Sequence, residues 1–166
     1  MNYSQVVQAL DAILTQQKQK IEGFSQHAGG WEGWLQTEMT GQWLSGVVLT
    51  EQYIWGDRRR IDLWFPGTRF GVELKCFSLN RASGDGQIFS SQLSKYDSFV
   101  DDVLEDVRKV HDIPQGGSGM AVVVIPTWLP EEKIYTLKNK LGKETYRWMY
   151  MGNNGFVVGV HHSSYL

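Results

Sequence analysis

Residues 58–76 have the sequence RRRIDLWFPGTRFGVELKC, which predicts two adjacent β-strands. The segment Pro66–Arg69 between the two apolar runs has the length and composition of a hairpin loop. Charged residues lie inside both runs, at Asp62, Glu73 and Lys75. Because side chains alternate between the faces of a strand, Glu73 and Lys75 project from the same face. An acid and an ammonium on so apolar a strand are costly unless they are paired or used.

The composition indicates one globular domain over residues 1–166. Of the 166 residues, 42% are hydrophobic and 13% are aromatic, so the chain can bury a substantial core. The formal net charge of −2 provides no general attraction for nucleic acid, so nucleic-acid binding needs a local basic patch. The single cysteine, Cys76, excludes an internal disulfide and a cysteine-based zinc cluster, and we interpret it as structural.

No stretch of the sequence has the length of a transmembrane helix, and the N-terminus lacks the basic-then-apolar layout of a signal peptide. These features favour a cytoplasmic protein with no membrane partner. A protein that a dedicated machine exports without a cleaved signal has the same features, so this alternative stays open.

The apolar periodicity of the remaining chain predicts helices on both sides of the hairpin. Before the hairpin, it predicts helices over residues 3–21 and 31–44 and a strand over residues 47–55. After the hairpin, it predicts a long helix over residues 87–110, a strand over 120–125, a helix from Pro130, and strands over 146–151 and 156–160. The side of the long helix that we predict to face solvent carries Asp101, Asp102, Glu105, Asp106, Arg108 and Lys109.

This order of elements predicts an α/β fold. Short connections make the early strands antiparallel, whereas the long helix crosses over to the apolar strand and predicts a parallel neighbour. The expected architecture is a three-layer α/β sandwich with a mixed central sheet. Its core spans residues 31–126, with the N-terminal helix at residues 3–21 and the C-terminal helix and strand pair at residues 129–161.

The charged residues of the hairpin are candidates for metal-assisted chemistry. On neighbouring strands, Asp62 and Glu73 can converge on one divalent cation, and Glu38 can supply a third carboxylate from a helix packed under the sheet. Lys75 would then stand beside the cation, where it can orient or help to deprotonate an attacking water. This set of groups suits the hydrolysis of a phosphodiester.

The spacing of these residues resembles the core motif of the PD-(D/E)XK nuclease superfamily, whose fold is restriction-endonuclease-like. The motif comprises Asp62, ten intervening residues and Glu73-Leu74-Lys75. A glutamate-bearing helix precedes it, and a helix with Gln92, Lys95 and Tyr96 follows it, so that the resemblance covers residues 31–125. The family's proline before the aspartate is Ile61 here, which departs from the literal motif without changing a ligand.

The resemblance implies the metal-binding and catalytic roles. The metal ligands would be Asp62, Glu73, the carbonyl of Leu74, and Glu38 as the helical acid. Glu32 is the second candidate for the helical acid. Lys75 would be the catalytic lysine, and the cofactor would be Mg²⁺ or Mn²⁺.

Substrate contacts are expected on both sides of the motif. By the resemblance, Gln92 and Lys95 would face the site and contact substrate or water, although both residue types are also common on a plain helix surface. Arg60 adjoins Asp62 and is a candidate phosphate contact. A run of three arginines is nevertheless more typical of a solvated surface.

Structural interpretations of the same residues stay open. Asp62, Glu73 and Lys75 can form a buried ion pair within the hairpin, and Glu38 can be a border residue whose carboxylate reaches solvent. His161 and His162 are consecutive residues of a predicted strand and point to opposite faces, so we do not predict that they share a metal.

We therefore predict a metal-dependent nuclease that hydrolyses phosphodiester bonds of DNA, in preference to RNA, by a metal-activated water assisted by Lys75. Cleavage of both strands of a duplex would favour a homodimer. A first alternative is a nuclease-fold binding module with little or no turnover, which acts through a protein partner or inhibitor in a conflict between bacteria, phages or plasmids. A second alternative is a delivered nuclease toxin.

Overall fold

The computed structural model of the protein describes residues 1–25, 31–43, 46–77, 93–114, 116–142 and 146–163, with the backbone alone for residues 22–25 and 93–97. The helices are α1 (Tyr3–Gln16), α2 (Lys18–Ser25), α3 (Glu32–Thr40), α4 (Leu93–His111) and α5 (Glu131–Lys140). The strands are β1 (Leu49–Gln52), β2 (Ile61–Phe65), β3 (Phe70–Cys76), β4 (Ser118–Pro126), β5 (Arg147–Met151) and β6 (Phe156–His162). None of these helices is long and apolar enough to cross a membrane.

The six strands form one mixed sheet in the order β1-β2-β3-β4-β6-β5. The hairpin of β2 and β3 is antiparallel, and β3 pairs in parallel with β4 after the α4 crossover. The two remaining junctions beyond β4 are antiparallel. The predicted mixed α/β sheet, with its hairpin and its parallel crossover, is therefore confirmed.

The alternation of side chains along β3 separates two packing faces. Val72, Leu74 and Cys76 lie in a core cluster that also contains buried residues of α1 and α3. Glu73 and Lys75 project to the other face, where α4 covers the sheet. The central strand β4 is buried on both faces, which is what its unbroken apolar sequence predicts. The hairpin thus carries its charged residues on the face beneath α4.

The N-terminal helix and the first strand differ in extent from the prediction. The N-terminal helix is divided at Gln17, and the strand predicted over residues 47–55 is reduced to Leu49–Gln52. This strand is exposed at the edge of the sheet, and Glu51 has a φ of 53°, which interrupts its extended backbone. The long helix is described from Leu93 onward, so its predicted start at residues 87–92 lies outside the described residues.

Candidate functional site

The pairing of β2 with β3 ends at Val72, which is the last residue of β3 that pairs with β2. After this point, the N–H of Leu74 donates to Asp62 Oδ2 at 2.6 Å. The N–H of Cys76 donates to Glu32 Oε2 at 3.1 Å. Two carboxylates therefore accept hydrogen bonds that carbonyl groups of a paired strand would otherwise accept. We call this region, between the end of β3 and Asp62, the β2–β3 gap.

Helix α3 reaches the gap because Trp31 fixes its N-terminus. The Trp31 indole is 1% exposed, packs 5.9 Å from the Phe156 ring between centroids, and donates from Nε1 to the Phe77 carbonyl at 3.1 Å. One turn into the helix, Gln36 Nε2 donates to the carbonyl of Asp62 at 2.8 Å. Glu32, the first residue of α3, is thereby held against the end of β3.

The structure places Glu32, the second candidate for the helical acid, against the end of β3, whereas Glu38 lies on another side of α3. Besides its bond to Cys76, Glu32 has Oε1 at 3.4 Å from Lys75 Nζ. Glu38 follows six residues later, so its side chain is about 120° away around the helix axis. The expectation that Glu38 joins Asp62 and Glu73 is therefore not supported by the arrangement of α3.

Helix α4 adds two charged residues that we predicted to face solvent. Lys109 Nζ lies 2.9 Å from Glu73 Oε2 and 2.9 Å from Asp106 Oδ1. The Asp106 carboxylate also lies 3.8 Å from Lys75 Nζ. The prediction of a solvated position is wrong for both α4 residues, since the Asp106 side chain is 7% exposed and that of Lys109 is 20% exposed.

The spacing of Asp106 from buried valines of α4 indicates that it is buried, although its charged neighbours suggest exposure. Asp106 lies three residues after Val103 and four before Val110, and both valines are 1% exposed. This spacing places the aspartate on the buried stripe of α4. Below it, Glu73 is adjacent in the sheet register to Ala121, whose small side chain leaves room for polar groups from the helix. Pairing with lysine then replaces the lost hydration.

Six residues form what we call the charged cluster: Glu32, Asp62, Glu73, Lys75, Asp106 and Lys109. Within it, carboxylates and ammonium groups alternate in the order Glu32, Lys75, Asp106, Lys109 and Glu73. Two buried oxygen atoms, Glu73 Oε1 and Asp106 Oδ2, accept no hydrogen bond among the described residues. The 3.8 Å separation of Asp106 Oδ2 from Lys75 Nζ is an ion-pair distance and too long for a hydrogen bond.

Burial shifts the pKa values of the clustered acids upward. It raises the pKa of Asp62 from 3.8 to about 7, and the negative charges of Glu32 and Asp106 add to this effect against the hydrogen bond from Leu74. Burial also raises the pKa of Glu32, and burial with the charges of Asp62 and Asp106 raises that of Glu73. Because these groups interact closely, a proton retained near neutral pH belongs to the cluster as a whole.

Both lysines of the cluster remain ammonium ions at neutral pH. Burial lowers the pKa of Lys75, but the charges of Asp106 and Glu32 raise it further, so that the net shift is upward. Burial likewise opposes the charge on Lys109, while Glu73 and Asp106 raise its pKa well above the usual range. Each lysine therefore donates hydrogen bonds and does not act as a base in this environment.

We expect the metal-free protein to lose stability as the pH rises from about 6.5 to about 9. The folded-state pKa values of Asp62 and Glu73 are raised, so each contribution is fully present below the unfolded pKa and is lost progressively as the pH rises to the folded value. The loss from Asp62 ends just above pH 7, and the loss from Glu73 continues at higher pH. The pKa values of His111 and His162 are lowered by burial, so these two side chains titrate below this range.

Urea unfolding in the presence of a chelator measures this dependence. The free energy of unfolding is expected to fall by about 1–2 kcal/mol over the stated range. A free energy that stays constant or rises would show that the folded protein accommodates the ionised acids without cost.

The donor atoms of the cluster fit Mg²⁺ or Mn²⁺ in kind, because both ions prefer carboxylate and carbonyl oxygen. The carbonyl of Leu74 is directed to the same edge of β3 as its N–H, which faces Asp62. Nevertheless, among the described residues no three His, Cys, Asp or Glu side chains group closely enough to form a metal shell. Ammonium groups lie between the carboxylates, since Lys75 separates Glu32 from Asp106 and Lys109 separates Asp106 from Glu73.

Of the predicted substrate-binding residues, only the side chain of Arg60 is among the described residues. Arg60 Nη1 lies 3.1 Å from Glu51 Oε2, and its guanidinium lies 5.8 Å from the centroid of the Tyr53 ring. It is thus a half-exposed partner of the β1 edge. Gln92 and the side chain of Lys95 lie outside the described residues.

The histidines of β6 point to opposite faces, as predicted. His161 Nε2 lies 2.7 Å from Nε2 of His111, the last residue of α4. The His162 ring instead stacks on Phe70 with 5.9 Å between centroids. The contact between His111 and His161 joins α4 to β6 and has no counterpart in the sequence analysis.

Comparisons with protein-family models, with curated proteins and with solved structures found no match to this chain. The resemblance to PD-(D/E)XK nucleases accordingly rests on the motif residues and their surroundings. Chemically, the charged cluster can do one of two things. It can exchange its ammonium partners for a divalent cation, or it can persist as a buried network of ion pairs.

Proposed function

We propose that this protein is a metal-dependent nuclease with a restriction-endonuclease-like fold, which hydrolyses phosphodiester bonds of DNA in preference to RNA. The observation that carries the proposal is the β2–β3 gap, where Asp62 and Glu32 accept N–H groups of β3 beside Glu73 and Lys75. Buried carboxylates with raised pKa values destabilise a folded protein, so their accumulation at one place supports a functional role. The preference for DNA follows from the resemblance alone.

In this proposal, Asp62, Glu73 and the Leu74 carbonyl hold Mg²⁺ or Mn²⁺, and Glu32 is the acid supplied by the helix. When bound, the cation neutralises charge on the phosphate and acidifies the attacking water. Glu32 and Asp106 position the Lys75 ammonium on either side. As a charged donor, Lys75 orients the water or stabilises the phosphate, because its raised pKa disfavours the alternative that it helps to deprotonate the water.

Lys75→Met is expected to reduce metal-dependent cleavage by at least about 100-fold, because the variant lacks the only donor proposed to act on the reacting groups. Wild type and variant are incubated with linear duplex, circular and single-stranded DNA and with RNA, in Mg²⁺, Mn²⁺ or chelator. Lys133→Met, which removes a partly exposed lysine of α5, is the matched control and should cleave like wild type. Full activity in Lys75→Met would refute the proposed role, and cleavage of RNA alone would refute the DNA preference.

The alternative of a binding module with little turnover is favoured by a specific observation. Three of the four carboxylates of the cluster, Glu32, Asp106 and Glu73, already have a lysine partner. A network that is paired in this way can remain in place without metal. Absence of Mn²⁺ binding by calorimetry, together with absence of cleavage on all four substrates, would select this alternative.

A further inference from the structure

Lys109 lies where a cation is needed between two buried carboxylates. Its Nζ is 2.9 Å from Glu73 Oε2 and 2.9 Å from Asp106 Oδ1, so one ammonium bridges β3 and α4. Glu73 is 2% exposed, and the motif resemblance alone gives this helical lysine no role. A carboxylate pair of this kind requires a positive charge in the folded protein, because neither acid can be hydrated.

Each bridged carboxylate also has an oxygen atom without a hydrogen bond. These atoms are Glu73 Oε1 and Asp106 Oδ2, and both are buried. An ammonium offers three donors with freely rotating geometry, yet it leaves these oxygens unsatisfied. Buried acceptors without donors are uncommon and costly, so the two atoms indicate that the cluster can accept more positive charge than Lys109 provides.

The side chain of Lys109 can leave this position without movement of α4. It is 20% exposed, in contrast to the two carboxylates that it bridges, so part of the side chain already borders solvent. A lysine side chain has four rotatable carbon–carbon bonds and holds its charge on a flexible stem. Withdrawal therefore requires only rotamer changes, and it would expose both carboxylates to a new partner.

We propose that Lys109 is a built-in counter-cation of the candidate metal site, which neutralises Glu73 and Asp106 in the metal-free protein and withdraws when a divalent cation binds. This inference rests on the proposed function, since it concerns the same metal site. The exchange replaces one positive charge with two, so the carboxylates of the cluster are better neutralised with the metal than without it. With Lys109 withdrawn, Asp106 would lie on the metal-binding side of the cluster. The presence of Lys109 would also explain why no three carboxylates of the described residues converge in the metal-free protein.

Lys109→Met is expected to bind Mn²⁺ at least about tenfold more tightly than wild type at one fixed pH, because the competing ammonium is gone while the stem length is kept. Isothermal titration calorimetry with Mn²⁺ alone measures this affinity. Arg108→Met is the matched control, since it removes a neighbouring exposed charge of α4 and should leave the affinity within about twofold of wild type. Unchanged or weaker binding by Lys109→Met would overturn the inference.

A measurement on the wild-type protein does not depend on the folding of a variant. Reductive methylation followed by mass spectrometry reports how accessible the Lys109 amine is, with Lys133 as an internal reference. Addition of Mn²⁺ is expected to increase methylation of Lys109 several-fold relative to Lys133. Methylation that stays constant while Mn²⁺ is bound would also overturn the inference.

The failure of this inference can be told apart from the failure of the proposed function. If wild type binds Mn²⁺, Asp62→Asn does not, and Lys109→Met binds like wild type, then only the counter-cation role is refuted. If neither wild type nor Lys109→Met binds Mn²⁺, the proposed metal-dependent function is refuted, and the counter-cation role with it. Binding by Lys109→Met that wild type lacks would support the role directly.

Discussion

Asp62→Asn is expected to abolish metal-dependent cleavage and, at the same time, to stabilise the metal-free protein at about pH 8. Cleavage should fall by at least about 100-fold, because asparagine lacks the negative charge that the proposed cation needs. The fold should be retained, since the amide oxygen of asparagine can still accept the hydrogen bond that the Leu74 N–H donates to Asp62.

The expected gain in stability follows from the raised pKa of Asp62. Burial shifts this pKa from 3.8 to about 7, and each unit corresponds to about 1.4 kcal/mol of preference for the neutral form. Since the side chain keeps partial access to solvent, we expect a gain of about 1–3 kcal/mol when a neutral amide replaces the carboxylate. At about pH 5 the gain should be smaller, and it should vanish only below about pH 3.8, where the wild-type carboxyl is neutral in both the folded and the unfolded protein.

Urea unfolding in chelator at both pH values, combined with the cleavage assay, measures the two effects. Asp101→Asn is the matched control, because Asp101 is an exposed acid of α4 and should change neither cleavage nor stability. A variant that keeps its cleavage activity would refute the role of Asp62 as a ligand. A variant that is less stable than wild type at the higher pH would refute the conclusion that the ionised carboxylate destabilises the fold.

Trp31→Ala is expected to cause the largest loss of stability of the substitutions considered, about 3–5 kcal/mol. The indole is 1% exposed and packs against Phe156, and its Nε1 donates to the carbonyl of Phe77 at the end of β3. Truncation leaves a cavity in the core cluster shared by α1, α3 and the sheet. It also frees the start of α3, so that Glu32 loses its fixed position beside Cys76.

Trp31→Phe separates the two contributions, because it keeps most of the buried aromatic surface and removes the indole hydrogen bond. Its cost is expected to be about 1–2 kcal/mol, which reflects the unpaired carbonyl and a smaller cavity. Tyr150→Ala is the control for the loss of an aromatic side chain, since Tyr150 is 65% exposed on β5. Equal stability of Trp31→Ala and Tyr150→Ala in thermal and urea unfolding would show that Trp31 does not hold α3 to the sheet.

The charged cluster places stability and the proposed function in opposition. Four carboxylates accompany two ammonium groups, and Asp62 pairs with neither of them, so the metal-free protein carries unbalanced or protonated acids in its interior. Such an arrangement destabilises the fold, and natural proteins tolerate it chiefly at sites of function. The same substitutions therefore test both aspects: a neutral residue that improves stability and removes cleavage identifies a functional acid.

The local sequence determined the sheet around which the molecule is built. The alternation along β3, the short loop before Phe70 and the unbroken apolar run of β4 each reflect interactions between residues that are close in sequence. These patterns were sufficient to predict an antiparallel hairpin, a parallel crossover and the common face of Glu73 and Lys75. They also placed Asp62 on the neighbouring strand, next to the end of β3.

Only the tertiary structure decided which other charges join these residues. Glu32 and Glu38 are equivalent by residue type, and the choice between them depends on where Trp31 anchors α3 against Phe77. Asp106 and Lys109 belong to a charged run of α4 whose composition predicts solvent exposure. Both side chains nevertheless lie between α4 and the sheet, where they pair with residues of β3. The physical reason is that the cost of burying a charge depends on the partner it meets, and these partners lie more than 30 residues away along the chain.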